Sequence, residues 1–206
     1  MGPMTADPPD TAATTGTTGT GTDLDPVRRL RVMAAGLHAV MYAEEYVDLP
    51  VDEVWAVASD LDAELPHLVP AMRAFRTTAT LSSGRSTALA YGPFGHRARF
   101  DVQLRPGWCL MQSAHVVGGM AAVPEGSGTR FAVLGGVRHA VPGPLRRAVR
   151  PLGRARGRRM IARARRRTEA RRTEARRTEA RRTETHRTAA QSGDGDAGTG
   201  GPSQPA

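Results

Sequence analysis

The feature that most constrains the fold is a series of short segments of β character, separated by turn residues, across positions 74–137. The clearest segment is 97–104, in which polar and apolar residues alternate with the period of a strand that has one buried face. The other predicted strands are 74–81, 86–91, 108–117, 120–123 and 129–137. Their connections are short and rich in Gly and Pro, which predicts an antiparallel meander with a single buried face. Another element must cover that face.

The segment before the meander, 42–70, predicts one further strand and two short helices. Residues 42–49 alternate as a half-buried strand does, and Pro50 ends that strand. After Pro50, apolar residues recur at helical spacing behind two acidic residues, whose charges favour a helix N-terminus. Pro66 and Pro70 limit residues 65–69 to a turn of helix or less.

The element that can cover the meander is a long C-terminal helix that begins near Pro144. Its apolar stripe is broken, Pro151 predicts a kink, and Gly153 and Gly157 remove side chains from one flank. Two alternatives follow for these glycines: they leave unfilled volume over the sheet, or they let two backbones pack closely. The predicted fold is α+β, with a curved antiparallel sheet of about six to seven strands wrapped around this helix.

From Arg166 the sequence repeats a pentapeptide, RRTEA three times and then RRTET. Five residues rotate a helix by about 140° from one copy to the next, so the repeat has no apolar face and specifies no partner helix. It predicts a solvated helix over 166–187. Composition predicts disordered tails at 1–25 and 188–206. Between them it predicts a short helix or linker at 26–41 and one folded domain at 42–165.

The positive charge is concentrated towards the C-terminal end. Residues 145–187 contain 18 Arg and 4 acidic residues, whereas residues 1–144 contain 11 Arg and 14 acidic residues. A basic segment attached to a mildly acidic domain suggests a polyanionic partner, either a nucleic acid or an anionic membrane. Because 145–187 has no aromatic residue to stack on bases, we expect any nucleic-acid contact there to be non-specific.

The sequence contains one cysteine, Cys109, which excludes an internal disulfide. Cys109 lies in an apolar run, so a buried, inert thiol is favoured over a nucleophile. The chain has neither a long apolar span nor a secretory signal pattern, and we expect a cytoplasmic protein. The histidines show no metal-ligand spacing, and the chain has no phosphate-binding loop and no nucleophile elbow, so we expect no metal and no cofactor.

The order of these elements resembles the helix-grip fold of the START-like (SRPBCC) superfamily, whose bacterial members include polyketide cyclases and dehydratases. The resemblance is carried by VDLPVDEVW at 47–55, then by Asp60 with the two later prolines, by 128–130 at the last strand, and by 143–147 at the last helix. It implies a hydrophobic cavity between the sheet and the C-terminal helix, which binds a lipid, a polyketide or another apolar small molecule. It implies no catalytic residue, because the family shares no catalytic motif.

Seven residues are candidates for the wall of such a cavity: Trp55, Tyr91, Phe100, Trp108, Met111, Phe131 and Arg97. The large apolar ones are equally consistent with an ordinary core, since the core of such a fold also lines its cavity. If the protein is an aromatase or cyclase, polar side chains within apolar strands would move protons. Those candidates are Tyr91, Arg97, Arg99, Gln112, His115 and Glu45.

Each polar candidate is also consistent with a solvated face, and Glu45 lies either at an open strand edge or in the interior. The sequence therefore leaves three functions open. They are the binding of a hydrophobic small molecule, an aromatase or cyclase reaction on a polyketide-type substrate, and attachment to a polyanion through 145–187.

Overall fold

The computed structural model describes residues 24–37, 41–81, 84–138 and 143–193. Disorder was predicted for 1–25 and 188–206, and of these residues 1–23 and 194–206 lie outside the described ranges, whereas 188–193 belong to the last helix. In chain order the elements are α1 (Pro26–Gly36), β1 (Met41–Val47), α2 (Val51–Ser59), α3 (Leu61–Leu68), β2 (Ala74–Thr80), β3 (Arg85–Tyr91), β4 (Arg97–Arg105), β5 (Trp108–Gln112), β6 (Val116–Glu125), β7 (Gly128–Val137) and α4 (Gly143–Gly193).

The seven strands in the described ranges form one curved antiparallel sheet, with the order β1-β7-β6-β5-β4-β3-β2. Two short helices follow the first strand, and the long helix α4 follows the last. The predicted α+β fold is therefore confirmed.

The helix α3 is longer than the prolines predicted. The side chain of Asp60 accepts a hydrogen bond from the backbone N–H of Ala63 at 3.2 Å and thereby caps the helix. Pro66 lies inside the helix. The single turn predicted for 65–69 forms the C-terminal half of this helix, which starts five residues before Pro66; the proline removes only one of its hydrogen bonds.

The connection between β5 and β6 also differs from the prediction, which put a turn at Gly118 and Gly119. The turn is at 113–115, where the hydroxyl of Ser113 accepts a hydrogen bond from the backbone N–H of Val116 at 2.9 Å. Both glycines lie inside β6. A Cβ atom on Gly119 would lie 2.8 Å from a methyl group of Leu30, so Gly119 makes room for α1.

The sheet is buried on both faces where β5, β6 and β7 lie, which corrects the single buried face that we predicted. We call the face towards α2, α3 and α4 the inner face, and the face towards α1 the outer face. The inner core cluster includes Leu65, Phe75, Phe100, Met111, Met120, Phe131, Met160 and Ile161. The outer core cluster joins Val27 and Leu30 of α1 to Trp108, Leu110, Val117, Ala121, Ala132 and Leu134.

Polar contacts fix α1 on the outer face. Asp25 accepts a hydrogen bond from the backbone N–H of Arg28 at 2.9 Å and caps the helix. Arg31 donates a hydrogen bond to Glu44 of β1 at 2.6 Å, and the hydroxyl of Tyr42 donates to the same carboxylate at 2.7 Å. Burial and the hydrogen bond to Glu44 raise the pKa of Tyr42 to about 12. Tyr42 is therefore a neutral donor at physiological pH.

The helix α4 packs against β1, β7, α2 and α3. Gly157 is buried, and a Cβ atom on it would lie 2.7 Å from the Cβ atom of Ala43 in β1. Of the two alternatives for the glycines, Gly157 therefore serves close backbone packing. Next to it, Arg158 lies 3.1 Å from the carboxylate of Glu45, so Glu45 is half-buried and paired. The helix continues through every copy of the repeat to Gly193.

Candidate functional site

The strand register divides the seven predicted cavity-wall residues between the two faces of the sheet. Phe100, Met111 and Phe131 belong to the inner core cluster, and Trp55 is half-buried at its margin. The rings of Phe75 and Phe100 lie 6.1 Å apart in this cluster. These four predicted residues therefore lie on the side of the sheet that α2, α3 and α4 cover.

Tyr91, Arg97 and Trp108 lie on the outer face. Tyr91 pairs with Arg97 across β3 and β4, and the guanidinium group lies 5.5 Å from the centre of the tyrosine ring. Trp108 is buried in the outer core cluster, with the guanidinium of Arg29 5.0 Å from its ring. A shift of one residue in the pairing of a strand moves its side chains to the other face of the sheet. The alternation of polar and apolar residues therefore cannot assign these three side chains to a face unless the register is known.

The remaining polar candidates are also not gathered at one site. Arg99 and Gln112 are on the outer face by the same register, and His115 is in the exposed β5–β6 turn. Glu45 is on the inner face, where it pairs with Arg158. Four of the six polar candidates, Tyr91, Arg97, Arg99 and Gln112, therefore share the outer face of the sheet, whereas Glu45 lies on the inner face.

A groove that the sequence did not predict opens between the α2–α3 corner and the ends of β2, β3 and β4. Its volume is about 310 Å³. Its floor includes Leu61 and Leu104, of which Leu61 belongs to the inner core cluster and Leu104 packs against it. Its rim is polar and consists of Ser59, Asp60, Asp62, Thr77, Thr80, Arg85 and Ser86. The groove is formed by residues of three separate parts of the sequence, 59–62, 77–86 and 104, and no local pattern indicates such a site.

Hydrogen bonds hold both carboxylates of the rim. Asp62 accepts from the backbone N–H and the hydroxyl of Thr77, at 2.8 and 3.2 Å, which ties α3 to the edge strand β2. Asp60 accepts from Arg171 of α4 at 2.6 Å. Because both carboxylates are engaged in this way, they shape the rim and are poor candidates for proton transfer.

Arg171 belongs to the second copy of the pentapeptide repeat, and with Arg167 it also binds Glu64 of α3. The side chain of Glu64 is only 2% exposed. Two nitrogens of Arg167 donate to its carboxylate at 2.7 and 2.8 Å, and Arg171 lies 2.9 Å away. The hydrogen bonds from Arg167 hold the pKa of Glu64 below its usual value, although burial opposes this. Glu64 is therefore ionised at neutral pH.

A third arginine of the repeat, Arg172, lies 3.6 Å from Glu53 of α2. We call Arg167, Arg171 and Arg172 the docked arginines. They lie beyond position 165, where the sequence predicted the end of the domain. The missed signal is in α3, where Leu61, Leu65 and Leu68 put Glu64 on the apolar face of the helix, so its carboxylate needs a cationic partner.

Several site types find no support in the described part of the chain. Burial raises the pKa of the Cys109 thiol to about 12, so it is protonated and unreactive at neutral pH. Among the described residues, no group of three or more His, Cys, Asp or Glu side chains could hold a metal ion. No helix within the described ranges is both long enough and apolar enough to cross a membrane.

Comparisons with solved structures identify the fold. StfQ, a di-domain ARO/CYC from the steffimycin biosynthetic pathway, superposes with a TM-score of 0.50 at 14% identity. The match covers 64% of this chain and 50% of StfQ, so the chain spans half the length of that protein. The chain has the START-like helix-grip fold.

Two further structures are similar to the helix-grip domain at lower TM-scores. TTHA0849 from Thermus thermophilus is 21% identical, with a TM-score of 0.49, over 63% of this chain and 97% of that one. A START superfamily protein from Mycobacterium smegmatis is 18% identical, with a TM-score of 0.44, over 63% and 97%. No protein-family model and no curated protein matches the sequence.

Proposed function

We propose that the helix-grip domain binds a hydrophobic or amphipathic small molecule, lipid-like or polyketide-like, through the groove beside the α2–α3 corner. The observation that carries the proposal is the composition of the groove. Its rim is polar and its floor, Leu61 and Leu104, is continuous with the inner core cluster. A polar head group fits the rim, and an apolar body fits the floor.

The inner core cluster is also suited to adapt to a ligand. Five of the eight methionines lie in it or at its margin: Met41, Met72, Met111, Met120 and Met160. Methionine is unbranched and flexible, so a core rich in it repacks around a guest at a lower cost than a core of branched side chains. The groove volume, about 310 Å³, is at the small end of the usual range for ligand sites, about 300–1,000 Å³.

StfQ is named as an ARO/CYC protein. For this chain, an aromatase or cyclase reaction has less support than ligand binding. It would need groups at the groove that are free to move protons. Asp60 and Asp62 are bound to Arg171 and Thr77, while Tyr91 and Arg97 are on the outer face. We therefore propose binding rather than catalysis.

The test is native mass spectrometry of the full chain, together with thermal melting in the presence of fatty acids and aromatic polyketide-like compounds. We expect a co-purifying apolar molecule and a saturable rise in the melting temperature. Leu104→Trp fills the floor of the groove and should abolish both effects. Leu152→Trp, at an exposed position on α4, is the matched control and should leave both unchanged. Ligand binding that is unaffected by Leu104→Trp would contradict the proposed site.

We also propose that α4 contacts polyanions, and the supporting observation is its charge distribution. No acidic residue occurs between Glu125 and Glu169, whereas each repeat copy carries two Arg and one Glu. Arg154, Arg159 and Arg166 are exposed on this helix. Replacing these three arginines with Gln should lower the affinity for heparin and reduce the salt dependence of binding. Replacing three Arg of the repeat beyond residue 175 should have a smaller effect on both. Equal effects would contradict this assignment.

A further inference from the structure

The turn between β3 and β4 carries a phenylalanine in an unfavourable conformation. Phe94 has φ 61° and ψ 26°, and the next residue, Gly95, has φ 76°. The backbone N–H of His96 donates to the carbonyl of Pro93 at 3.4 Å and closes the turn. Two successive positive φ angles define a turn of type I′, in which Asn or Gly is the usual first central residue. A bulky side chain in this position strains the backbone.

The same phenylalanine is almost fully in water. The residue is 92% exposed, more than any other large apolar residue whose burial the structure describes. Neither the backbone of the turn nor the packing of the domain gains from the ring at this position. A strained backbone that the packing of the domain does not require points to a role for the Phe94 side chain outside the domain.

The surroundings of the ring indicate the chemistry of that contact. The sequence has no Asp or Glu between Glu64 and Asp101, a stretch that includes the α3–β2 connection, β2, β3 and the turn itself. Arg73 lies at the base of the turn, where its backbone N–H donates to the carbonyl of Tyr91 at 2.7 Å. Arg97 follows the turn and lies over the Tyr91 ring. Two arginines thus lie at the base of the turn that carries the exposed ring.

The acidic residues are at the other end of the sheet. Asp48 follows β1, Asp60 and Asp62 line the groove, and Glu125 ends β6. Strand directions put all of these positions opposite the β3–β4 turn. The end that carries Phe94 lacks these carboxylates, whereas at the opposite end they lie together with cations that include Arg85, Arg105 and Arg171.

We infer that the β3–β4 turn docks the domain on an anionic lipid bilayer, with the ring of Phe94 in the interfacial layer and Arg73 and Arg97 on lipid head groups. A single projecting ring needs no shaped pocket in its partner, and dispersed arginines match a surface of diffuse negative charge. This surface is distinct from the exposed arginines of α4. It is also distinct from the groove, so the inference does not depend on the proposed ligand.

The experiment is co-sedimentation of the full chain with vesicles of phosphatidylglycerol and phosphatidylcholine, compared with vesicles of phosphatidylcholine alone. Phe94→Asn puts the residue that the turn prefers in place of the ring. We expect it to lower the partition coefficient about tenfold while the melting temperature stays the same or rises. Arg97→Gln should lower partitioning about fivefold. Leu81→Asn, at an exposed position towards the opposite end of the sheet, is the matched control and should change neither quantity.

A second variant tests insertion without relying on loss of function. Phe94→Trp should retain binding, and brominated acyl chains should quench its added fluorescence beyond the quenching seen for the wild-type tryptophans. The inference is overturned if Phe94→Asn binds as the wild type does, or if it lowers the melting temperature. It is also overturned if the indole is not quenched, or if Phe94→Asn changes only self-association in sedimentation velocity.

Discussion

Replacing Glu64 with Gln tests whether the docked arginines hold α4 on the domain. The substitution keeps the shape of the side chain and removes its charge. The carboxylate of Glu64 receives three contacts of 2.7–2.9 Å from Arg167 and Arg171. An amide oxygen at the Oε1 position can still accept from both guanidinium groups, but the amide nitrogen then replaces Oε2 and faces the Nε–H of Arg167, donor against donor. Glu64→Gln should therefore lower the free energy of unfolding.

The magnitude follows from burial. A hydrogen bond to a charged group contributes about 1.5–3 kcal/mol. The side chains of Arg167 and Arg171 are 41% and 40% exposed, so water can replace part of the hydrogen bonding that they lose in the variant. The energies of the three contacts are therefore not additive. We expect a loss of about 2 kcal/mol, which corresponds to about 4–8 °C in the melting temperature for a domain of this size.

The assay is urea unfolding at pH 7 followed by tryptophan fluorescence, because Trp55 and Trp108 report on the domain and not on the projecting end of α4. Glu174→Gln is the control, since it removes an exposed Glu of the repeat and should change stability by less than about 0.5 kcal/mol. In a double-mutant cycle, Glu64→Gln and Arg167→Gln should couple. A Glu64→Gln protein as stable as the wild type would refute the reasoning, because the desolvation cost would then cancel the ion pairs.

Three further predictions concern the same helix. The pKa of Glu64 is lowered from its usual 4.5 in the folded protein. Its contribution to the free energy of unfolding is therefore fully present above pH 4.5 and is lost as the pH falls through the pKa of the folded state. In urea unfolding from pH 6 to 3, the stabilities of the wild type and of Glu64→Gln should converge. Truncation after Ala175 should leave fluorescence-monitored stability within about 0.5 kcal/mol of the full chain, whereas truncation after Arg165 should cost at least as much as Glu64→Gln; equal costs would contradict docking by the first two copies. Gly157→Ala should destabilise by about 1–3 kcal/mol, because its Cβ would lie 2.7 Å from that of Ala43, and an unchanged melting temperature would show that the two elements separate freely.

The fold was predictable because its local signals agree. The alternation in β4, the proline after β1 and the turn residues between strands each depend on neighbours within about ten positions. The order of elements then limits the topology to a few possibilities. Errors arose where a glycine or proline has a tertiary role. Gly119 makes room for Leu30 of α1, and Pro66 is tolerated inside a helix that starts earlier than expected.

The candidate site was predictable only in part, because it depends on register and on distant contacts. Phe100, Met111 and Phe131 share the inner face, but Trp108 and Arg97 do not, and one residue of register makes the difference. The groove joins segments that are more than 40 residues apart. Arg171 reaches Asp60 across 111 positions, and nothing near either residue indicates the other.

The docked arginines all lie within the first two copies of the repeat, so none of their contacts with the domain involves the later copies. Inserting or deleting whole copies after Arg172 leaves every docked contact in register. Each added copy lengthens the projecting helix by about 7.5 Å and turns its tip by about 140°. The number of later copies therefore sets how far the end of α4 extends from the domain and in which direction its side chains point. The docked contacts, and the stability that they give the domain, stay the same.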